Sequence, residues 1–327
     1  MRHLFVMDPI ESVHPDKDTT FAFMADTQAR GHDNLVCGLH DLWAEDARGF
    51  ARADRVEVHP STSSAGRDKP AHFTRRDRVD IAFSDVDIIW MRKDPPVDDA
   101  YLYATMILDR APCLVLNDPI SLRVVHEKMW GLWAEEVTPR QVVSSRPDIL
   151  VEFVKKRGKG VLKPLHMMGG MGVFAFDADD KNLRSAADLL TFEGKRQALA
   201  QEYLPAVRQG DKRVILIDGE PVGAVLRVPR GDDHRSNMHV GGTAAKAVVD
   251  DDDRRICALI GPKLRELGLF FVGIDVIGGK LTEVNVTSPT GVQEINKLDA
   301  RTGGDRLEAL VVDAALAKLA ARRRTPG

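Results

Sequence analysis

The sequence predicts an open α/β domain followed by mixed α+β lobes. Two patterns predict it. Between His3 and Leu116 short apolar runs alternate with helical stretches, and from Gln141 onward strands arrive in pairs around glycine-containing turns. The 327 residues suffice for two or three subdomains with cores of their own. A hydrophobic share of 43% and a charged share of 29% place the chain among ordinary globular proteins.

Residues 3–7 read as a short apolar strand that stops at Asp8-Pro9, and residues 18–29 have helical periodicity with a capping residue ahead and Gly31 behind. Residues 36–38, 56–58, 88–91 and 114–116 are further strands, with a helix over 100–110 that stops before Pro112. Ligands in open α/β sheets sit beyond the carboxyl ends of the strands, where both Asp8-Pro9 and Arg92-Lys93-Asp94 fall. Residues 61–78 are polar, basic and poor in apolar side chains, and are expected as an exposed loop. Asn117-Asp118-Pro119 breaks into a helix expected to run to Glu135, with Lys128 on it and Met129, Trp130, Leu132 and Trp133 supplying apolar contacts.

Residues 141–204 then read strand, helix (148–157), strand, glycine loop, strand, helix (183–196), strand. Residues 213–217 and 221–228 form a hairpin around Asp218-Gly219, a strong turn signal, with Arg213 and Arg227 on its two strands. Residues 230–246 lack hydrophobic periodicity and read as a long mobile loop of the kind that serves as a lid. A capped amphipathic helix over 250–267 ends at Gly268, and a helix over 306–322 closes the chain.

The chemistry concentrates in residues 270–290, two β-rich runs around Gly278-Gly279. Glu283 and Asn285 are two apart and share one strand face, while Val284 and Val286 take the other. Asp275 joins the oxygen-bearing face if the loop holds an odd number of residues, so a three-residue, bulged turn using Gly279 is expected. Two carboxylates and an amide oxygen suit Mg²⁺, a hard cation usually shared with substrate phosphates. Taken alone, such a pattern more often describes a solvated strand face or a capped turn.

About a hundred residues upstream, Val161-Leu162-Lys163-Pro164 runs into a loop containing Gly169, Gly170 and Gly172. A lysine before a glycine-rich turn offers an ammonium to phosphate oxygens and flexible N–H groups to close over them. A plain hairpin turn with a surface lysine fits as well. The loop is neither GxxxxGK[ST] nor the GxGxxG of a βαβ dinucleotide fold.

These segments carry a resemblance. Val6-Met7-Asp8-Pro9, Met91-Arg92-Lys93-Asp94-Pro95-Pro96, Glu127-Lys128, Leu162-Lys163-Pro164-Leu165 with Gly169-Gly170, Tyr203-Leu204-Pro205, Gly210-Asp211-Lys212-Arg213 and residues 281–290 are spread in order over nearly the whole chain. Together they resemble the bacterial glutathione synthetase family of ATP-grasp carboxylate–amine ligases. The resemblance implies an N-terminal pre-ATP-grasp α/β domain over 1–120, a small ATP-grasp lobe with linker helix over 121–205, and a C-terminal ATP-grasp lobe over 206–327.

The resemblance also implies a reaction: γ-glutamylcysteine is activated by ATP as an acyl phosphate, glycine attacks, and glutathione, ADP and phosphate leave. Asp275, Glu283 and Asn285 would hold Mg²⁺, or alternatively Mn²⁺. Lys128, Lys163, Gly169 and Gly170 would meet the phosphates, with Gln201, Glu202, Tyr203, Leu204 and Asp211 around the nucleoside. Arg213 and Arg227 would neutralise charge developing in phosphoryl transfer, although structural ion pairs would also explain them, and Arg235 of the lid joins them. Asp8, Arg92, Ser288, Pro289 and Thr290 are the expected substrate contacts.

Three departures stand out. His166-Met167 replaces a common Asp-Gly, the lid segment Arg235-Ser236-Asn237-Met238 lacks the usual small residues, and Gln293 stands where arginine is frequent.

A formal net charge of −3 gives no reason to expect nucleic acid, and Arg322-Arg323-Arg324 is explained as cations at a helix C-terminus. Cys37, Cys113 and Cys257 are scattered and lack CxxC spacing, as expected of reduced thiols in a cytoplasmic protein. The N-terminal apolar run is too short for a signal peptide, and no stretch is long enough to span a membrane. A homo-oligomer is the family expectation.

Overall fold

The computed structural model describes residues 1–60, 71–229 and 243–324. The N-terminal alternation folds into one sheet of β1 (Arg2–Val6), β2 (Asp33–Cys37), β3 (Leu42–Glu45), β4 (Arg48–Val58), β5 (Phe73–Ala82), β6 (Ile88–Met91) and β7 (Leu114–Leu116). The order is β3-β4-β2-β1-β6-β7, with β5 also paired to β4. β1, β2, β6 and β7 run parallel, whereas β3, β4 and β5 extend the sheet in antiparallel fashion. Helix α1 (Thr19–Ala29) begins where the Asp18 carboxylate accepts the N–H of Phe21 at 2.7 Å, and Asp98 caps α2 (Asp99–Leu108) in the same way.

The exposed loop expected over 61–78 needs correction. Residues 61–70 lie outside the described residues, but from Phe73 the chain is strand. Its alternation is of charge rather than of polarity: Arg52 pairs with Asp80 at 2.7 Å, and Asp54 with both Arg75 and Arg78 at 2.8 Å. Cross-strand ion pairs hold a ribbon that has no apolar stripe to reveal it.

Helix α3 (Pro119–Val124) is also far shorter than the expected helix to Glu135, so Lys128 lies in irregular chain. Val125 is already extended. Beyond it the Glu127 carbonyl accepts Val284 N–H at 3.1 Å, and the Glu127 carboxylate accepts Val286 and Thr287 N–H at 2.9 and 3.1 Å. Tertiary hydrogen bonds thus draw the segment out of the helix its composition favours.

The small lobe contains β8 (Gln141–Ser144), α4 (Pro147–Arg157), β9 (Lys159–Pro164), β10 (Phe174–Asp177), α5 (Leu183–Leu190) and β11 (Ala198–Glu202), with strand order β10-β9-β11-β8. Helix α5 stops short of residue 196 because Phe192, Glu193 and Gly194 all take positive φ. The C-terminal lobe is built from β12 (Asp211–Ile217), β13 (Glu220–Val228), β14 (Thr243–Ala247), α6 (Asp251–Glu266), β15 (Phe271–Ile277), β16 (Lys280–Asn285), α7 (Val292–Leu298) and α8 (Leu307–Arg324). Its sheet runs β14-β13-β12-β15-β16. Of the expected lid, residues 230–242 and with them Arg235 lie outside the described residues, while 243–247 are the edge strand β14 rather than loop.

Alternating residues send β1 and β15 into two cores: Leu4, Val6, Val272 and Ile274 fill one, Phe5, Met7 and Phe271 the other. Both cores run from the N-terminal sheet into the C-terminal lobe. The small lobe packs around its own Leu150, Val154, Leu162, Phe176 and Ala187. Cys37 and Cys257 are buried, Cys113 is half-buried, and all three are free thiols. Among the described residues no helix is long and apolar enough to cross a membrane.

Candidate active site

The 270–290 hairpin folds as β15 and β16, but its turn differs from expectation. Gly278 and Gly279, at φ 55° and 70°, form a two-residue turn that pairs Ile277 with Lys280. Such a turn would set Asp275 opposite Thr282. Instead the register shifts between Asp275 and Val276: Val276 pairs with Leu281 and Asp275 with Glu283, leaving Thr282 as the extra residue of a β-bulge. The Thr282 hydroxyl donates to the Asp275 carbonyl at 3.1 Å. Asp275 and Glu283 therefore share a face, with Asn285 next along it.

That face meets four cations. Arg213 on β12 lies opposite Asp275 in the ladder, and its Nε and Nη2 donate to the two carboxylate oxygens at 2.6 and 3.1 Å. Arg227 on β13 bridges Asp275 at 2.9 Å and Asp211 at 2.6 Å. Burial by itself would raise the Asp275 pKa, but the two guanidiniums outweigh it and hold the group well below the usual carboxylate range. For Asp211 burial wins over Arg227, and its carboxyl is raised to about 6. Lys128 Nζ lies 3.0 Å from Glu283 Oε1 and donates to the Met167 carbonyl at 2.7 Å. Lys163 donates to Gln201 Oε1 at 2.8 Å, and burial, only partly offset by Glu283, lowers its pKa.

Two clefts adjoin this face. The first lies between the small and C-terminal lobes and brings Lys128, Lys163, Gly169, Gly170, Gln201, Glu202, Tyr203, Leu204 and Asp211 together with Asp275 and Glu283. The second is lined by Asp94, Glu127, Arg213, Arg227, Asn285 and residues 287–290, again with Asp275 and Glu283. The carboxylate pair, with Gly169, is their common wall.

Arg92 and Asp8 line neither cleft. The Arg92 guanidinium lies 5.6 and 5.2 Å from the ring centres of Phe23 and Phe271 and donates to the Pro289 carbonyl at 2.9 Å; burial lowers its pKa to about 10. Asp8 pairs with Lys93 at 2.9 Å, in a hollow beyond β1 and β2.

The sequence marks Glu127 only as the residue ahead of Lys128, and Asn117 only as part of the lead into a helix. The structure gives both more to do. Asn117 Nδ2 donates to the carbonyls of Phe271 and Val286 at 2.9 and 2.7 Å, and its Oδ1 accepts Phe271 N–H at 2.8 Å. One amide thus ties the N-terminal sheet to both strands of the hairpin. Glu127 Oε1 accepts from Val286 N, Thr287 N and Thr287 Oγ1. Burial, and after it the negative charge of Glu283, raise its pKa.

The departures find partners. Gln293 donates to the carbonyls of Pro15 and Asp18 at 3.0 and 2.6 Å. Lys128 reaches the backbone carbonyl of Met167, a contact that does not depend on that side chain.

Asp275, Glu283 and Asn285 fit a hard divalent cation. All three offer oxygen, and Asn285 Nδ2 lies 3.4 Å from Asp275 Oδ2, with no hydrogen bond to Asn285 Oδ1 among the described residues. Among those residues no three His, Cys, Asp or Glu side chains form a metal cage. A cation here needs phosphate oxygens to complete its shell, which is the habit of Mg²⁺.

A glycine loop, lysines and paired carboxylates between two α+β lobes, preceded by an open α/β sheet, define an ATP-grasp ligase. Solved structures share this fold: D-cycloserine synthetase DcsG at TM-score 0.66 and 14% identity, covering 98% of this chain and all of that one, and the ATP-grasp ligase PsnB at 0.59 and 16%, covering 97% and 98%. The chain belongs to the prokaryotic glutathione synthetase family, whose N-terminal domain matches residues 1–123 and whose ATP-grasp domain matches residues 127–300. It is 43% identical over 310 residues to the glutathione synthetase of Thermosynechococcus vestitus, covering 93% of this chain and 98% of that one. With that of Escherichia coli O127:H6 it shares 41% over 294 residues, covering 89% and 91%. The activity of the family is ATP-dependent, divalent-metal-assisted ligation that produces glutathione.

Proposed function

We propose that the chain joins γ-glutamylcysteine to glycine through an acyl phosphate, with ATP in the first cleft and the reacting carboxylate in the second. The observation that supports this most is the shared wall: Asp275 and Glu283 line both clefts, so the γ-phosphate and the carboxylate meet at one face. In this reading Lys128, Lys163, Gly169 and Gly170 hold the phosphates. Gln201, Glu202, Tyr203, Leu204 and Asp211 surround the nucleoside, and Ser288, Pro289 and Thr290 hold the carboxylate substrate. Arg92 positions that last segment through its bond to Pro289, and Asp8 orders the Lys93-Asp94 approach.

Asp275, Glu283 and Asn285 would hold Mg²⁺, or alternatively Mn²⁺, which would supply positive charge against the nucleotide phosphates. Arg213 and Arg227, which converge on Asp275, would offer positive charge to the transferring phosphoryl group. Arg235 is proposed to assist from the lid. No enzyme nucleophile is required; positioning and electrostatics carry the rate. We place the divisions of the chain at residues 120 and 205, the enzyme in the cytoplasm and its assembly as a homo-oligomer.

The test is phosphate release from ATP and Mg²⁺ with γ-glutamylcysteine, with and without glycine, alongside mass detection of glutathione. Glycine-dependent phosphate and glutathione in equal amounts are expected. Phosphate without glycine dependence would overturn the amine, and none at all would overturn the substrate pair.

A further inference from the structure

The second cleft contains an anion that the phosphate and metal chemistry leaves unused. Asp275 is committed to Arg213 and Arg227, and Glu283 to Lys128 and the cation. Glu127 differs. Its Oε1 is saturated by three donors from Val286 and Thr287, whereas Oε2 takes no hydrogen bond from the described residues, and the side chain lines the cleft beside Asn285 and Thr287.

An amine substrate enters as an ammonium. It needs an acceptor that is held still, partly shielded from water and unpaired, because a charge-assisted hydrogen bond is strongest there. Asp94, the other unclaimed carboxylate of this cleft, is exposed, so water screens its charge. Glu127 is half-buried and lies close enough to Glu283 to feel its charge, and an arriving cation relieves that repulsion. Its place is also favourable for chemistry, since the backbone on either side of Asn285 is hydrogen-bonded to it.

We propose that Glu127, through Oε2, is the anchor for the ammonium of the amine substrate, which makes the Glu127 side of the second cleft the amine subsite. The proposal rests on the ligase reading above and deepens it. The anchor holds a primary ammonium at the edge of the metal-bearing face, where loss of one proton to solvent leaves a lone pair aimed at the acyl phosphate carbon. The new C–N bond then forms as the C–O bond to phosphate breaks, and the nitrogen's second proton goes to the departing phosphate.

The experiment is steady-state kinetics of Glu127→Gln against wild type, with each of the three substrates varied in turn. Glutamine keeps an oxygen for Val286 and Thr287 but presents an amide to the ammonium. A rise of about tenfold or more in KM for glycine is expected, with KM for ATP and γ-glutamylcysteine within about twofold. Asp94→Asn is expected to leave KM for glycine within about twofold. An unchanged glycine KM in E127Q, an equal rise in all three constants, or a tenfold rise in D94N instead would each overturn the anchor. If E127Q does not fold, methylammonium serves as the probe with the wild-type enzyme: competition against glycine is expected, and its absence overturns the proposal. Wild type is read first, since absence of glycine-dependent glutathione there removes the ligase reading itself rather than the anchor.

Discussion

Asp275 and Glu283 stand directly opposite one another across the β15–β16 hairpin because Thr282 is bulged out of the ladder. The two-residue turn alone would have put their side chains on opposite faces, one in the core. The bulge restores the phase, and the Thr282 hydroxyl bonded to the Asp275 carbonyl holds it there. A pair of carboxylates on one face thus meets Arg213, Arg227 and Lys128, and the proposed metal and polyphosphate site rests on that balance of charge.

Glu283→Gln tests that balance. The amide keeps the size of the side chain but removes its charge, and with it the ionic partner of Lys128. Turnover with saturating ATP and Mg²⁺ is expected to fall about a hundredfold or more, while far-ultraviolet circular dichroism is unchanged. Wild-type turnover in this variant would remove Glu283 from the metal site.

Asn117 supports the same hairpin from the other side. Asn117→Ala leaves buried donors and acceptors of Phe271 and Val286 without partners, at a cost of about 3 kcal/mol to the urea unfolding free energy. A loss below about 1 kcal/mol would show that water or a backbone shift replaces the amide.

Gly279 turns with φ 70°, and a Cβ there would come within 2.4 Å of Asp252 Oδ2. The Asp252 side chain is exposed and can swing away, so backbone strain is the lasting cost. Gly279→Ala should lose about 1 kcal/mol, Gly279→Asn less, since asparagine tolerates this region. Full rescue of Gly279→Ala by Asp252→Ala in thermal denaturation would show that the clash, not the strain, dominates.

Much of this was legible in the sequence where local chemistry speaks. The stop of the first helix before Gly31, the Asp218-Gly219 turn and the period-2 placing of Glu283 and Asn285 are properties of a few neighbouring residues. What was not legible depends on distant partners. Strand β5 is held by ion pairs to β4, and the segment after Val124 is pulled from helix by strand β16. The shared face of Asp275 and Glu283 was anticipated from an odd loop, yet a bulge produces it, because parity can be restored at any point along a strand. Glu127 escaped notice because nothing local distinguishes it from any glutamate before a lysine.

The N-terminal sheet carries a pH dependence of its own, set by His3. The ring is fully buried on β1, and Trp90 Nε1, which can only donate, lies 3.0 Å from His3 Nδ1. Nδ1 must therefore be the acceptor, and Nε2 carries the hydrogen that points at His32 Nδ1, also 3.0 Å away. A second proton would face the indole N–H. Burial first, then the charges of His32 and the N-terminus, lower the His3 pKa from 6.5 to about 3, with Asp87 opposing weakly. A base whose pKa is depressed by folding favours the folded state fully above its unfolded pKa. That contribution is lost as pH falls from 6.5 towards 3, at about 1.4 kcal/mol per pH unit, or about 2 kcal/mol by pH 5. Asp211, raised to about 6, acts in the opposite sense, losing stability as pH rises, but it does so equally in any His3 variant. His3→Gln keeps an acceptor for Trp90 and a donor for His32 while removing the titration. Urea midpoints measured between about pH 7 and pH 5 should fall more steeply for wild type than for this variant. Parallel slopes would mean that His3 is not the group that titrates.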